Sequence, residues 1–414
     1  MSKNRLTPLT LVVFLLLTAC TIFSPSSTPP PAFTPVSPTA SPTPSKPNEY
    51  ITIAQLNLWF HGPGCYGGFE SFNCNGKRNT GLTPLLGATY DSASADVIRQ
   101  QIDWAVSYGV DAFSIEWTTP REVSGSIENI LDDNFLKSPE LTKIRWCIFY
   151  DLVLRLQQTP GLKVDWSRGM DFNNPDVYNT FVADFDHFAQ KYFSQPQYLK
   201  IDGRPVVYVW GTWNAIGNYK GAFQEARQKA AARGYDVYIV GDIIRTDHFY
   251  PKLASAYDAN TNFVFFTAGT PATSKDVGEA AVKLDGILAS WEGKIADLKV
   301  DGRQEEVMLQ PGFTPQFDNR LFQQVNGWKD TIYVPALSKD QVTAMAEIVK
   351  KHAHPVGSQG WKMIWLNTWN NWPETTTFEP TAAEGPKYPA GNYQFDFLEV
   401  IRDVFGPEVF PPSE

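Results

Sequence analysis

The sequence predicts a single (β/α)8 TIM barrel, in the α/β class, over residues 49–414. Eight strand-like segments follow one another along this stretch, and helix-like segments separate most of them. Several of the strand segments are continuous apolar runs, which is typical of parallel strands buried on both faces. No GxGxxG or phosphate-binding loop follows any strand, which disfavours the alternative, a doubly wound nucleotide-binding sheet.

The strand segments are rich in β-branched and aromatic residues and are bounded by glycine, proline or polar residues. They cover residues 50–60, 110–117, 144–152, 204–213, 236–244, 261–269, 305–313 and a run that starts at residue 361. The helix segments cover residues 94–109, 124–136, 176–193, 219–234, 275–298 and 339–353. In the first helix, Ser94 is the expected N-cap and Gly109 the expected stop.

Residues 1–20 are predicted to be a lipoprotein signal peptide. Lys3 and Arg5 give it a positive start, and an apolar run too short to span a bilayer leads into Leu-Thr-Ala-Cys. This ending is typical of a bacterial lipobox, in which Cys20 is lipidated and anchors the protein to a membrane. A plain signal peptide with a chance cysteine is the alternative. We therefore expect a cell-envelope protein that faces outside the cytoplasm.

Residues 21–48 are dominated by Pro, Ser and Thr and carry one charge, Lys46. Such a composition cannot bury a core, so this segment is predicted to be a disordered linker between the anchor and the barrel.

Composition excludes several function classes. The net charge is −9 and there is no block of basic residues, which argues against nucleic acid as a partner.

Cys65 and Cys74 flank a short loop and could pair in an exported protein, whereas Cys147 lies in an apolar run and is expected to be a buried thiol. Because no Cys/His spacing fits a metal site, neither a metal nor a cofactor is predicted. The chain is expected to be a monomer.

Polar side chains follow many of the predicted strands, where active sites of such barrels lie. They are Asn57, His61, Glu116, Asp151, Trp210, Trp213, Asp242, Thr267, Gln310, Asn367, Asn370, Asn371 and Glu374. Glycoside hydrolysis needs a pair of carboxyls, one to protonate the leaving oxygen and one to act as base or nucleophile. Tryptophan adds flat apolar faces for sugar rings. The sequence therefore indicates a glycan site at this end of the barrel.

Structural roles are open for the same residues. Glu116 could be a buried acid paired with an arginine, Asp151 could cap the next helix, and Asp242 could bond loop backbone. The tryptophans Trp365, Trp369 and Trp372 could be core.

The stretch WNNWPETTTFEP, residues 369–380, resembles the WNEWxEGxxxEP signature of the family 99 and family 71 glycoside hydrolases and the related WbsX-like polysaccharide-biosynthesis proteins. Residues 83–117, 202–213 and 309–320 are similar to other parts of that superfamily. The resemblance implies a (β/α)8 fold and endo-acting, retaining α-mannosidase activity. It implies that Glu374 is the general acid/base, that Glu379 contacts a hydroxyl or supports the site, and that Asp151 matches an acidic sugar contact on the third strand.

Asn371 departs from this pattern. The family has a glutamate there, which assists attack by the 2-hydroxyl of the substrate through an anhydro-sugar intermediate, and a neutral amide cannot take a proton in that way. Three hypotheses follow. Another strand-end acid replaces it, or the substrate and mechanism differ, or the domain binds glycan without cutting it.

We assign Glu374 as general acid/base and Glu116 as the first choice for its partner, followed by Asp151 and Asp242. Asn370 and Asn371 are predicted to bind sugar hydroxyls, and Asp242 is also predicted to be a substrate-binding residue. The predicted sugar platforms are Trp117, Trp210, Trp213, Trp369 and Trp372. His61 and Tyr66, on the loop after the first strand, are predicted to close over the site, with a Cys65–Cys74 bridge stiffening that loop.

The predicted function is a surface-anchored glycoside hydrolase that cleaves an α-linked polysaccharide or oligosaccharide, with endo action on α-mannan as the family-based expectation. A non-catalytic glycan-binding lipoprotein on the same scaffold is the alternative. A cell-envelope assembly protein is the third hypothesis, disfavoured by export because nucleotide-sugar chemistry is cytoplasmic.

Overall fold

The computed structural model describes most of the barrel domain. The described residues are 49–60, 73–74, 77–78, 80–87, 90–122, 126–242, 251–262, 277–318, 321–322, 333–334, 337–382 and 394–407. The predicted signal peptide with Cys20, the linker 21–48, the residues His61, Cys65, Tyr66 and Thr267, and the side chain of Cys74 lie outside them.

Eight parallel strands form the barrel. They are β1 (Tyr50–Leu56), β2 (Ala112–Trp117), β3 (Arg145–Asp151), β4 (Arg204–Trp210), β5 (Tyr238–Asp242), β6 (Ala259–Thr261), β7 (Met308–Leu309 and Gly312–Phe313) and β8 (Trp361–Leu366). Each pairs in parallel with the next, and β8 pairs with β1. The two halves of β7 close the ring, because the first pairs with β6 and the second with β8. The predicted barrel is confirmed.

Helices connect these strands. They are α1 (Ala95–Ser107), α2 (Ile127–Asp133), α3 (Leu152–Gln157), α4 (Pro175–Lys191), α5 (Tyr219–Ala232), α6 (Pro251–Ala254), α7 (Val277–Ile295), α8 (Lys339–His352) and α9 (Asp396–Phe405). Short 3-10 helices cover Phe135–Lys137, Pro139–Lys143, Thr212–Asn214 and Trp372–Glu374. Within the described part of the chain, no helix combines the length and apolarity needed to cross a membrane.

Short strands form hairpins and edges around the barrel. Lys200–Ile201 pairs with β4 and Pro355–Val356 with β8. Four further pairs join Asn73–Cys74 to Lys77–Arg78, Met170–Asp171 to Ala215–Ile216, Phe317–Asp318 to Tyr333–Val334, and Asn370–Asn371 to Thr376–Thr377.

The sixth strand was predicted over 261–269 but lies at Ala259–Thr261. Register with β5, which pairs Val240 with Ala259 and Asp242 with Thr261, decides its position. The aromatic residues beyond it have high β-propensity, which drew the prediction toward the C-terminus. The fourth strand also ends earlier than predicted, because Gly211 turns the chain at φ 90°. A Cβ there would lie 2.3 Å from Cγ2 of Val153, so only glycine fits.

Aromatic and polar residues fill the barrel interior in layers, as alternation along the strands requires. In the lower layer, the Gln310 amide donates to the Tyr238 hydroxyl over 3.1 Å. Above it, the Trp365 ring packs between Phe149 and Tyr208, with centroids 5.3 and 4.6 Å away. The next inward positions, at the carboxyl ends of the strands, carry the polar groups described below. Cys147 is a free, buried thiol, as predicted.

Candidate active site

Four carboxyl groups converge at the carboxyl ends of the strands. Glu116 and Asp151 end β2 and β3, Asp242 ends β5, and Glu374 lies in the short helix after β8. The first three are buried and Glu374 is partly exposed. The charge of Glu374 acts on Glu116, and the charge of Asp151 acts on both Glu116 and Asp242, so the four form one cluster.

Glu116 and Asp151 form a hydrogen-bonded acid pair. Burial raises the pKa of both, to about 7 for Asp151 and well above its ordinary value for Glu116. The shared hydrogen bond raises the pKa of Glu116 and lowers that of Asp151, so Glu116 holds the proton and donates it. Gln55 donates to Glu116 from the other side, whereas Oε2 of Glu116 has no hydrogen-bond partner among the described residues. The pair therefore presents one free carboxyl oxygen and one shared proton.

Asp151 also caps a helix. Its Oδ1 accepts the Leu154 backbone N–H over 2.8 Å at the start of α3, the structural role that the sequence left open. The cap fixes the carboxyl beside Glu116. Glu116, by contrast, is not paired with an arginine: among the described residues, the groups that set its pKa are acids and one amide.

Glu374 is held by Asn371 through two bonds. The Asn371 Nδ2 donates to Oε2 of Glu374 over 2.8 Å, and the Asn371 Oδ1 accepts the Glu374 backbone N–H over 3.4 Å. The Asn371 N–H itself donates to Thr368 Oγ1 over 2.8 Å. Burial raises the pKa of Glu374 to about 7, against the opposing effect of the Asn371 bond. A carboxyl with this pKa can give and take a proton near neutral pH.

Asp242 is fully buried and stands apart from the pair. Burial raises its pKa well above the ordinary value, the Gly211 backbone N–H opposes this, and the charge of Asp151 adds to it. The Gly211 N–H approaches the carboxyl without regular hydrogen-bond geometry, since neither carboxyl oxygen has a hydrogen-bond partner among the described residues.

A buried network supports the Glu374 turn from below. Glu379 accepts bonds from Tyr90 (3.0 Å), Gln101 (3.1 Å) and the Trp372 indole (3.1 Å). Burial raises the pKa of Glu379 to about 8, although all three bonds lower it. Because Glu379 is 1% exposed and fully engaged, it positions the turn and does not contact a sugar hydroxyl.

Asn370 was predicted to bind sugar, and the structure corrects this. Its Nδ2 donates to the Asn57 carbonyl (2.9 Å) and to Tyr90 (3.1 Å), and its Oδ1 accepts the Asn57 N–H (2.8 Å). Both donor hydrogens are used, and the side chain is fully buried. Asn370 therefore ties the end of β1 to the segment that carries Glu374.

Three predicted sugar platforms are wrong. Trp117, Trp369 and Trp372 are each 0% exposed, so no sugar can reach their faces. Trp117 packs on Phe188 with centroids 4.8 Å apart, and Trp369 on Phe113 at 5.1 Å. The other two predicted platforms, Trp210 and Trp213, are partly exposed at the end of β4. Sequence spacing could not separate the two groups, because exposure depends on which face each ring presents after the barrel closes.

Tyr90, Gln101 and Gln55 contribute to the site and were missed by the sequence analysis. Tyr90 precedes α1 and Gln101 lies on it. Both are far in sequence from Glu379, and no local pattern marks them. Gln55, two residues before Asn57 on β1, carried a signal: it is a polar residue within an apolar strand.

Other predicted strand-end groups are buried here too. Asn57, Gln310 and Asn367 are 0–1% exposed, and both side-chain amide atoms of Asn367 have no hydrogen-bond partner among the described residues. Within that same part of the chain, no group of three or more His, Cys, Asp or Glu residues is placed to hold a metal ion.

Comparison with known proteins agrees with the architecture. Residues 176–390, more than half of the chain, match the model of the family described as Glycosyltransferase WbsX. Searching curated proteins gave no match. A solved structure described as a glycoside hydrolase-like protein has 18% identity and a TM-score of 0.62, over 88% of this chain and 97% of that chain.

The GH99 endo-alpha-mannosidase of Bacteroides thetaiotaomicron is similar as well. Its complex with bis-tris-propane has 15% identity and a TM-score of 0.55, covering 86% of this chain and 97% of that chain. A second structure of that enzyme has 15% identity and a TM-score of 0.54, covering 87% and 98%. At such low identity the likeness shows a shared barrel fold. The family match confirms the predicted resemblance to the WbsX-like proteins.

Proposed function

Because the chain belongs to the Glycosyltransferase WbsX family, we propose that it is a glycan-active enzyme, a glycosidase that cleaves α-linked polysaccharide or oligosaccharide. One observation carries the proposal: Glu374, with a pKa raised to about 7, lies close enough to the proton-sharing pair of Glu116 and Asp151 for its charge to raise the pKa of Glu116. Buried carboxyls held near neutral pKa are destabilising and are typical of catalytic sites.

The geometry supports distinct roles for the two sides of the cluster. Glu374 donates its proton to the oxygen of the leaving group as the bond from that oxygen to the sugar breaks. On the other side, the oxygen of the attacking hydroxyl bonds to the anomeric carbon as its proton passes to Glu116, and the proton that Glu116 shares with Asp151 passes to Asp151. This relay supplies the base that Asn371 cannot provide. In total the pair gains one proton.

The attacking hydroxyl need not belong to water. The family description names a glycosyltransferase, and the same carboxyls would serve transfer to a sugar hydroxyl. Glycosyl transfer is therefore the variant of this proposal that product analysis must distinguish from hydrolysis.

A non-catalytic glycan-binding protein is the second candidate, favoured by Asn371 in place of a carboxylate. It keeps the partly exposed Trp210 and Trp213 and requires no base. It does not account for three buried carboxyls clustered with the partly exposed Glu374, because neutral amides would bind sugar hydroxyls at a smaller desolvation cost.

The test is product analysis with the full chain on α-mannans and α-glucans, by reducing-sugar release and mass spectrometry. Glu374→Gln is the active-site variant, and Glu306→Gln, the same change at an exposed side chain, is the control. Release by the parent and control but not by Glu374→Gln supports the enzyme. Enlarged glycans instead of new reducing ends would indicate transfer. Binding without any product would favour the glycan-binding alternative.

We also propose that the barrel is held at the cell envelope by a lipid on Cys20, with residues 21–48 as its linker. The Leu-Thr-Ala-Cys sequence supports this. Labelling cells with a fatty-acid analogue should mark the parent and not Cys20→Ala, and an unlabelled parent would exclude the anchor.

A further inference from the structure

Asp242 points into the barrel. It lies four residues after Tyr238 on β5. The Tyr238 hydroxyl lies inside the barrel, where it accepts a hydrogen bond from the Gln310 amide. Alternate residues of a strand face the same side, so the Asp242 carboxyl faces the interior at the mouth of the barrel. Its exposure is 0%, and neither oxygen has a hydrogen-bond partner among the described residues.

Three other buried aspartates in the described part of the chain are hydrogen-bonded. Asp111 accepts two bonds from Thr52, Asp184 is bound by Tyr150 and Arg155, and Asp258 by Arg204, Arg227 and the Ile239 N–H. These three structural acids are thus paired with hydroxyls, guanidinium groups or backbone N–H groups. Asp242 breaks that pattern, and a buried unpaired carboxyl is costly unless something else binds it.

Register places three further side chains beside it. Asp151 is level with Trp210 on β4, Gly241 is level with Val209, and Asp242 is level with Thr261 on β6. Asp151, Trp210, Asp242 and Thr261 therefore form one row across four adjacent strands. Trp210 is partly exposed and has a carboxyl on either side. The Thr261 hydroxyl is buried and has no hydrogen-bond partner among the described residues.

This row has the layout of a sugar-binding surface: a flat ring for the apolar face of a pyranose, and polar groups at its edges. We propose that Asp242 and Thr261 bind adjacent hydroxyls of the sugar ring that lies on Trp210, and that Asp242 thereby selects sugars with both hydroxyls over deoxy sugars. A carboxyl group has two oxygens, each of which can bond one O–H group, which suits a vicinal diol, and the threonine hydroxyl can donate or accept. The inference rests on the proposed function in that it places this sugar in the same site.

The experiment is a binding titration that needs no turnover. The full chain carrying Glu374→Gln is titrated with α-1,3-mannobiose, maltose and the monodeoxy analogues of each at the non-reducing ring. The titration is repeated with Asp242→Asn and with Thr261→Val added. Asp242→Asn keeps the side-chain volume and removes the charge, and thermal melts of each variant report on the fold.

We expect Asp242→Asn to weaken binding of at least one parent disaccharide by about 10- to 100-fold, the loss expected for hydrogen bonds to a charged group. For the analogue that lacks the bound hydroxyl, the same substitution should have little further effect, because the interaction is already gone. The melting temperature should stay the same or rise, since an unpaired buried carboxyl is removed. A structural acid would show the opposite, a lower melting temperature with affinity unchanged.

Three results would overturn the inference. Asp242→Asn could lower the melting temperature while affinity is unchanged, or it could weaken binding of every deoxy analogue as much as that of the parent disaccharide. The third is that no disaccharide in the set binds. The outcome is separable from the proposed function. If Glu374→Gln abolishes turnover and Asp242→Asn does not change binding, the proposed enzyme function holds and the proposed role of Asp242 is wrong. If Asp242→Asn weakens binding selectively but the parent shows no turnover, the role of Asp242 holds and the proposed enzyme function is wrong.

Discussion

The amide of Asn371 donates a 2.8 Å hydrogen bond to Oε2 of Glu374, while its own oxygen accepts the backbone N–H of the same residue. The side chain that stands in place of a carboxylate of the WNEWxEGxxxEP signature thus makes one bond to the remaining carboxylate and one to the backbone of the same glutamate. This arrangement orients Glu374 and stabilises its ionised form. In the proposed mechanism the base therefore has to come from elsewhere in the site, and the Glu116–Asp151 pair is the group proposed to supply it.

Asn371→Asp should raise the pKa of Glu374 above about 7. Asp keeps the oxygen that accepts the Glu374 N–H, but it loses the donor that lowers the pKa and adds a negative charge. Since Glu374 must be protonated to act as an acid, the alkaline limb of the pH–rate profile should move to higher pH. The profile of kcat/KM checks this, with Asp202→Asn as an exposed control. An unmoved limb would mean that Glu374 is not the titrating acid.

Trp210→Ala and Trp369→Ala should fail in different ways. Trp369 is fully buried against Phe113, so its removal leaves a cavity and should cost about 3–5 kcal/mol of unfolding free energy. Trp210 is partly exposed, and its removal should raise KM for a glycan several-fold with a smaller change in stability. Denaturant unfolding and steady-state kinetics on both variants test the contrast. Similar stability losses would make Trp210 a core residue.

Much of the fold could be predicted because its signals are local. Apolar runs bounded by turns indicated strands, and the stop at Gly109, which adopts φ 76°, closed the first helix as expected. The predicted position of the sixth strand was wrong because register with the neighbouring strand β5, and not β-propensity, determines where it begins and ends.

The site was less predictable because its roles depend on distant partners. Glu374, Glu116 and Asp151 could be proposed from strand ends, and they do come together. Glu379 and Asn370 could not be assigned, since their roles depend on Tyr90, Gln101 and Asn57, which approach only in the closed barrel. The predicted lid with His61 and Tyr66, the Cys65–Cys74 bridge and the anchor at Cys20 stay predictions.

Stability should fall as the pH rises from about 5 to 8. The pKa of Asp151 and Glu374 is raised to about 7, and that of Glu379 to about 8, from the ordinary range near 4. In this window the folded protein holds protons that the unfolded chain has released, so rising pH favours unfolding. Below it the slope reverses: burial opposes ionisation of Glu128, but bonds from His187, Lys191 and Tyr192 lower its pKa to about 2.

Thermal melts from pH 4 to 9 measure this dependence. The melting temperature should peak near pH 5, and Asp151→Asn should flatten the decline toward pH 8 because one raised carboxyl is removed. Asparagine retains the cap on α3, so the variant should fold. A melting temperature that is constant or rises between pH 5 and 8 would contradict the raised pKa values.

Glu116 and Asp151 should behave as one catalytic unit. Glu116→Gln retains a hydrogen bond to Asp151 but cannot take up a proton, and Asp151→Asn cannot receive one. Each substitution should lower kcat by about 10²- to 10⁴-fold, the usual contribution of a general base, with smaller changes in KM. Because both break the same relay, the double variant should be no slower than the slower single variant. Single-turnover rates of the three variants test this against Glu306→Gln as control. Multiplied losses in the double variant would show two independent carboxylates, and the base would then have to be assigned to one of them alone.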